Sequence, residues 1–396
     1  MMKKTCLFVL GCSLSFLFIE GFSSTVHVAR EILSEPRRLG FASQRLYTRY
    51  DRDLGWTSLP YYYQKDFYGP GVYLKTNSRG FRNDEDIDVS VPPGHIRVIC
   101  SGDSFTFGYG VDNDHTWCQL LNSIDHRFQP VNMGQAGYGV DQAYLWYRRD
   151  GASLDHDVHI LAFITDDFRR MKLRLFFGYG KPFLEVKNGG IVVDNVPVPK
   201  ANSLSSFYRW CTLHGDDIQD LRSVEVLGSA LKRIVGSHKD SGTAPPMSDR
   251  MLLDKLIAEL DSLNNQKNSR LVLVYLPTKP DYSDDHLSAP WRKFLKEEAQ
   301  NRQLLFVDLV EDFRKLPLSQ VQKMFICADS LQGFSAARGH LTDDGNAYVA
   351  RAIYEKLTSN VGISQKLASL SVRPETASYH PPQDSTRLGI MDSGSR

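Results

Sequence analysis

The chain has 396 residues, 42% of them hydrophobic, and a formal net charge of +1. That is enough apolar material for one large α/β domain with an appendage, or for two modest domains, and the balanced charge gives no basis for a nucleic-acid partner. Cys6 and Cys12 fall in an amino-terminal apolar segment, and Cys100, Cys118, Cys211 and Cys327 are scattered without C-x-x-C spacing. They therefore read as buried thiols, or at most one or two disulfides, and not as a zinc site.

Lys3 and Lys4 precede an apolar run from Cys6 to Ile19, and Glu20 follows it. This pattern predicts a signal peptide or a short membrane anchor over 1–24, with the rest of the chain exported to the periplasm or the cell exterior. The run is brief for a full span. Val9-Leu10-Gly11-Cys12 also looks like a lipoprotein cleavage box, although few apolar residues precede it. Residues 25–94 hold little periodic apolar pattern and many aromatics and turn residues, such as Pro60-Tyr61-Tyr62-Tyr63 and Gly69-Pro70-Gly71. They are expected to form an extended leader, with short strands, packed on the main domain.

From His95 the pattern alternates: a strand Ile96–Cys100, a helix near Trp117–Ile124, a strand near Pro130–Met133, a helix near Asp141–Arg149 and a strand Val158–Ile164. Strand, helix, strand at this spacing predicts parallel βαβ units. The rhythm stops over about 169–249, an insertion in which Phe183 to Val193 reads as a hairpin about an Asn-Gly turn. It resumes with a helix Ser248–Leu263, a strand Arg270–Leu276, a helix Pro290–Arg302, a strand Leu304–Leu309 and a closing helix Asp343–Leu357 capped by Thr342 or Asp343. The tail over 371–396, rich in Ser, Pro and small residues, is expected to be disordered.

The stretch from Arg97 to Val111 runs an apolar strand into Gly102-Asp103-Ser104. A serine at the end of a buried strand is held still with its hydroxyl above the sheet, and the peptide N–H groups after it can face a developing oxyanion. The plainer alternative is a turn that caps the next helix. Such a nucleophile needs a base, and His340, in a loop just before the last helix, is the best placed of eleven histidines. Its plainer alternative is a loop histidine packed on Tyr348. His156-Asp157-Val158-His159 has ligand-like residue types but leads into a buried strand, and reads as a polar turn rather than a metal site. Asp166 and Asp167, as neighbours on a strand, would point to opposite faces. No dinucleotide fingerprint and no Gly-x-Ser-x-Gly elbow occurs, and the chemistry calls for no cofactor.

Together these blocks resemble the GDSL or SGNH hydrolase superfamily over about His95 to Leu357, in its exported, membrane-tethered bacterial form. Ser104 would be the nucleophile and His340 the base. Asn132-Met133-Gly134-Gln135-Ala136-Gly137 looks like the second block, whose resemblance implies that the N–H of Gly137 joins that of Ser104 in an oxyanion hole. The leader segments Asp53-Leu54-Gly55-Trp56 and Asn77-Ser78-Arg79-Gly80-Phe81-Arg82 look like those of tethered members. The implied fold is a three-layer α/β/α sandwich with a mainly parallel sheet, an inserted hairpin region and an extended leader, its domain covering 95–360.

Two departures qualify the resemblance. Asp166 stands where the third block presents an asparagine whose amide donates to the oxyanion, and an ionised carboxylate cannot donate. Ala337 and Arg338 stand where an aspartate should orient the histidine, leaving Asp329, Asp343 or Asp344 as substitutes, Asp329 first. The resemblance implies a serine esterase acting on an acyl, above all acetyl, ester of a cell-surface carbohydrate through a Ser-His pair. The departures favour a catalytically silent relative that binds a glycan or a protein, and polysaccharide O-acetyl transfer is a further alternative.

Overall fold

The computed structural model describes residues 47–176, 179–200, 245–327 and 337–370, with a few more between 10 and 21. Most of the expected signal segment, the tail 371–396, part of the insertion and Asp329 lie outside the described residues. No helix among the described residues is long and apolar enough to cross a membrane.

The leader forms two antiparallel hairpins, β1 (Thr48–Asp51) with β2 (Gly55–Ser58) and β3 (Tyr63–Gly69) with β4 (Val72–Lys75). The sheet then begins with β5 (Ile96–Gly102), β6 (Phe128–Gly134) and β7 (Val158–Phe163). Within the insertion lie β8 (Leu175–Phe176) paired with β9 (Tyr179–Gly180), and the expected hairpin, β10 (Phe183–Lys187) with β11 (Gly190–Asp194). The sheet is completed by β12 (Arg270–Tyr275) and β13 (Leu305–Asp308). All its neighbours pair in parallel, in the order β13-β12-β7-β5-β6.

Near-continuous apolar strands such as Val158–Phe163, buried at every residue, are what a sheet covered on both faces requires. One face packs Ile99, Leu161 and Leu273 under the helices Val140–Arg149, Met247–Gln266 and Ala289–Arg302. The other packs Val98, Ile160 and Val274 under Trp117–Ile124 and Asp343–Ser359. The closing helix is fixed by Val349, Ile353 and Leu357, all fully buried, each contributing about 1.5–3 kcal/mol by leaving water. Thr342, not Asp343, caps it, its hydroxyl accepting from the Gly345 N–H at 3.2 Å. A further helix, Val361–Ser369, was not expected from the sequence pattern; only Ile363 and Leu367 of it are buried, a stripe too thin to stand out.

The strand order reverses direction between β5 and β7. Loops leaving the carboxyl ends of two such strands diverge to opposite faces and open a crevice between them, where ligands of open α/β sheets bind. Ser104 follows β5, and Asp166 follows β7.

The His156 to His159 segment differs from the polar turn expected. Both rings are buried: Nε2 of His156 lies 2.8 Å from the Tyr147 hydroxyl, and Nε2 of His159 lies 2.9 Å from Ser101 Oγ. His159 also stacks on Tyr147 at 3.5 Å between centroids. Burial lowers the pKa of both, so they serve as neutral hydrogen-bonding core residues.

Candidate active site

The strand β5 is buried throughout, so its end is a fixed point. Asp103 turns the chain there: Oδ1 accepts the Phe105 N–H at 2.9 Å and starts the one-turn helix Ser104–Phe107. The Ser104 hydroxyl lies 3.3 Å from the other oxygen, Oδ2. The turn is clamped from two sides. Asn132, on β6, donates its amide to Thr106 O at 2.9 Å and accepts the Gly134 N–H at 2.9 Å. A Cβ on Gly134 would stand 2.1 Å from the Phe107 nitrogen, so only glycine lets β6 approach the helix this closely. From the leader, fully buried Arg82 donates to the carbonyls of Phe107 (2.6 Å), Gly108 and Val111, and to Asn113 Oδ1 at 2.9 Å.

His340 arrives from the opposite side, in a loop pinned by main-chain bonds: Ile326 N donates to His340 O at 2.9 Å, and Gly339 N to Ile326 O at 2.9 Å. Its Nε2 lies 2.8 Å from Ser104 Oγ, and its Nδ1 lies 3.2 Å from the carbonyl oxygen of Ala337. A carbonyl only accepts, so Nδ1 carries the proton and Nε2 presents its lone pair to the serine hydroxyl. The ring rests between Phe105 and Tyr109, at 4.9 and 5.2 Å between centroids, and not against Tyr348. Burial pushes its pKa down to about 4, partly countered by the charge of Asp103 and by the carbonyl of Ala337.

No acid among the described residues stands behind the ring. Asp343 interacts with His115, and Asp344 lines a separate surface cavity with Tyr348 and Arg351. The Ala337 carbonyl occupies the place that a carboxylate was expected to fill.

Gly137 adopts φ +77°, and a Cβ there would meet the Phe176 ring at 2.7 Å. Its loop is gripped by the leader: Trp56 Nε1 donates to Ala136 O at 3.0 Å, Ser58 Oγ to Gln135 Oε1 at 2.8 Å, and Tyr138 OH to Trp56 O at 2.5 Å. Among the described residues, neither the Ser104 nor the Gly137 N–H is engaged in a main-chain hydrogen bond.

After β7 the chain enters a helix, Thr165–Arg170, rather than continuing as strand, so Asp166 and Asp167 lie on its first turn. Asp167 is buried and accepts the Ile164 N–H at 2.9 Å. Asp166 is half-exposed, 3.1 Å from Arg169 Nη2 and 3.8 Å from Arg170 Nη2. The sequence reading missed Arg170, whose side chain is buried and whose Nη1 lies 2.9 Å from both Asp103 Oδ2 and Asp167 Oδ1. Burial, with the Asp103 charge next, holds the Asp167 carboxyl well above the usual range. The available signal was the spacing: Arg170 follows Asp166 and Asp167 by four and three residues, one helical turn.

Ser104, Gly137, Asp166, Arg170 and His340 all line one cavity of about 440 Å³ at the carboxyl edge of the sheet, together with Phe105, Phe176, Thr278 and Arg338. Fold and site thus define a doubly wound α/β protein with a serine–imidazole pair at its switch point.

No protein-family model matches the chain, nor does any curated protein. Solved structures do. It is similar to a member of the lipolytic G-D-S-L family from Veillonella parvula, with 14% identity and TM-score 0.38, over 67% of this chain and 100% of that one. It is similar to an acetyl xylan esterase, with 16% identity and TM-score 0.34, over 66% and 98%. It is also similar to a two-domain esterase active on acetylated mannans, with 12% identity and TM-score 0.37, over 70% and 50%.

Proposed function

We propose that the chain is a serine ester hydrolase of the GDSL/SGNH kind, and the observation that carries this reading is the 2.8 Å approach of His340 Nε2 to Ser104 Oγ at the wall of an open cavity. His340 takes the hydroxyl proton as Ser104 Oγ bonds to the acyl carbon. The negative oxygen of the tetrahedral intermediate is received by the N–H groups of Ser104 and Gly137. The imidazolium returns its proton to the leaving alcohol, and water attacks the acyl-enzyme by the same path.

The cavity suits a small acyl group on a hydroxylated alcohol. Phe105, Tyr109, Ile164 and Phe176 give it an apolar floor, whereas Thr165, Asp166, Thr278, Asp284 and Arg338 supply polar side chains that match sugar hydroxyls better than an alkyl chain. An acetyl ester of a cell-surface carbohydrate fits both halves. The basic-then-apolar amino terminus supports export and tethering by that segment.

The test is release of p-nitrophenol from p-nitrophenyl acetate together with labelling of Ser104 by a fluorophosphonate, both abolished in Ser104→Ala. A folded protein that neither turns over nor labels supports instead a silent relative that binds a glycan or protein in this cleft. Asp166 at the amide-donor position favours that second reading.

A further inference from the structure

Resting on the esterase reading, we propose that Arg170 is a catalytic residue of this site: its Nη2 edge supplies the charged donor to the acyl oxygen that Asp166 cannot.

Arg170 is nine-tenths buried, yet it lines the same cavity as Ser104 and His340. Its Nη1 is committed, donating to Asp103 Oδ2, to Asp167 Oδ1 and, at 3.2 Å, to the Tyr138 carbonyl. Asp103 Oδ2 is itself 3.3 Å from Ser104 Oγ, so the guanidinium stands one carboxylate away from the nucleophile. Nη2 is placed differently. Its ion pair with half-exposed Asp166 spans 3.8 Å, longer than a hydrogen bond, and leaves N–H groups for the cavity.

The main chain that carries Arg170 is also braced. Buried Lys181 donates to the Arg170 carbonyl at 2.7 Å and is paired with buried Asp141, and the Phe176 ring lies 5.3 Å from the guanidinium carbon. A cation fixed before the reaction, in a site partly shielded from water, stabilises a developing oxyanion without reorganising. The insertion therefore bears on catalysis: Lys181 and Phe176 belong to it, and both touch Arg170.

Two carboxylates surround one cation in the buried cluster, and Asp166 adds a third at the rim. Asp166, 3.8 Å from Nη2, partly neutralises that edge of Arg170. The arrangement thus assigns opposite signs to two neighbours: Arg170 promotes turnover, and Asp166 restrains it.

The experiment uses the full chain with p-nitrophenyl acetate and a fluorophosphonate. Arg170→Gln and Arg170→Lys should lower kcat by about 10²-fold and under 10-fold respectively, with KM within about threefold. Asp166→Ala should raise kcat severalfold. Because Arg170→Gln opens a buried ion cluster and can fail to fold, Asp166→Ala decides by itself: Asp166 is half-exposed and its loss leaves the core intact. A lower or unchanged kcat in Asp166→Ala would contradict the restraint assigned to Asp166 and overturn the proposal, as would a folded Arg170→Gln with unchanged kcat. Wild-type protein that is neither labelled nor active overturns the esterase reading, and this proposal with it. Labelled, active wild type with the wrong response in Asp166→Ala overturns this proposal alone.

Discussion

The two sides of the candidate site are built by different means. Ser104 is held by ions and buried amides: the Asp103 cap, the Arg170 cluster, the Arg82 clamp on three carbonyls and the Asn132 brace from β6. His340 is held by main chain and aromatic faces: the Ala337 carbonyl, the bonds to Ile326, and the rings of Phe105 and Tyr109. The serine is fixed by interactions that cost several kcal/mol to break one at a time, because each leaves a buried charge or carbonyl unpaired. The histidine is oriented by a neutral acceptor, so its imidazolium receives less stabilisation than a carboxylate would give, consistent with a ring held neutral.

Removing either reacting group should have the largest effect. Ser104→Ala and His340→Ala are each expected to reduce p-nitrophenyl acetate turnover at least about 10³-fold, without additivity in the double variant, as measured by steady-state kinetics. If the double variant lost the product of the two single effects, Ser104 and His340 would not act as one unit.

The contrast in anchoring is tested by stability. Asp103→Asn keeps the shape but removes one of the two buried charges facing Arg170, which stays paired with Asp167, and should cost about 1.5–3 kcal/mol by denaturant unfolding. Tyr109→Leu, on the histidine side, should cost less than that and lower kcat only severalfold. Equal losses from the two substitutions would erase the distinction.

Gly137→Ala addresses the loop between the two sides. At φ +77°, with the Phe176 ring 2.7 Å from the new Cβ, the loop must shift. Turnover should fall by about 10²-fold, as for loss of one oxyanion donor, with about 1–2 kcal/mol of stability. Full activity in this variant would remove the Gly137 N–H from the mechanism.

The smallest expected effect is in pH. With its pKa pushed down to about 4, His340 is neutral, and able to accept a proton, at every pH above that value. The rate should therefore hold steady from neutrality to about pH 5 and fall only as pH approaches 4, where protonation removes the base. An acid limb near 6.5 would mean that the ring is more solvated, or more strongly paired, than the described geometry provides.

Much of this was legible in the sequence because it depends on local pattern. Apolar runs such as Val158–Phe163, alternating with helices, give parallel βαβ units, and Gly102-Asp103-Ser104 after an apolar strand marks a turn at the edge of a sheet. Shorter elements with thin apolar stripes, such as Val361–Ser369, carry too little periodicity to be read. His156 and His159 look polar in sequence, and only their contacts with Tyr147, Asn264 and Ser101 reveal core residues.

The sequence by itself determined the strand and helix order, the turn that carries Ser104 and the loop that carries His340, since each follows from periodicity and residue type along the chain. The tertiary structure alone decided what surrounds them. A carbonyl behind His340, a leader arginine clamping the serine turn and a buried Arg170 beside Asp103 join residues tens to hundreds of positions apart. Such contacts exist only because strands far apart in sequence become neighbours in one sheet and bring their carboxyl ends to a common edge.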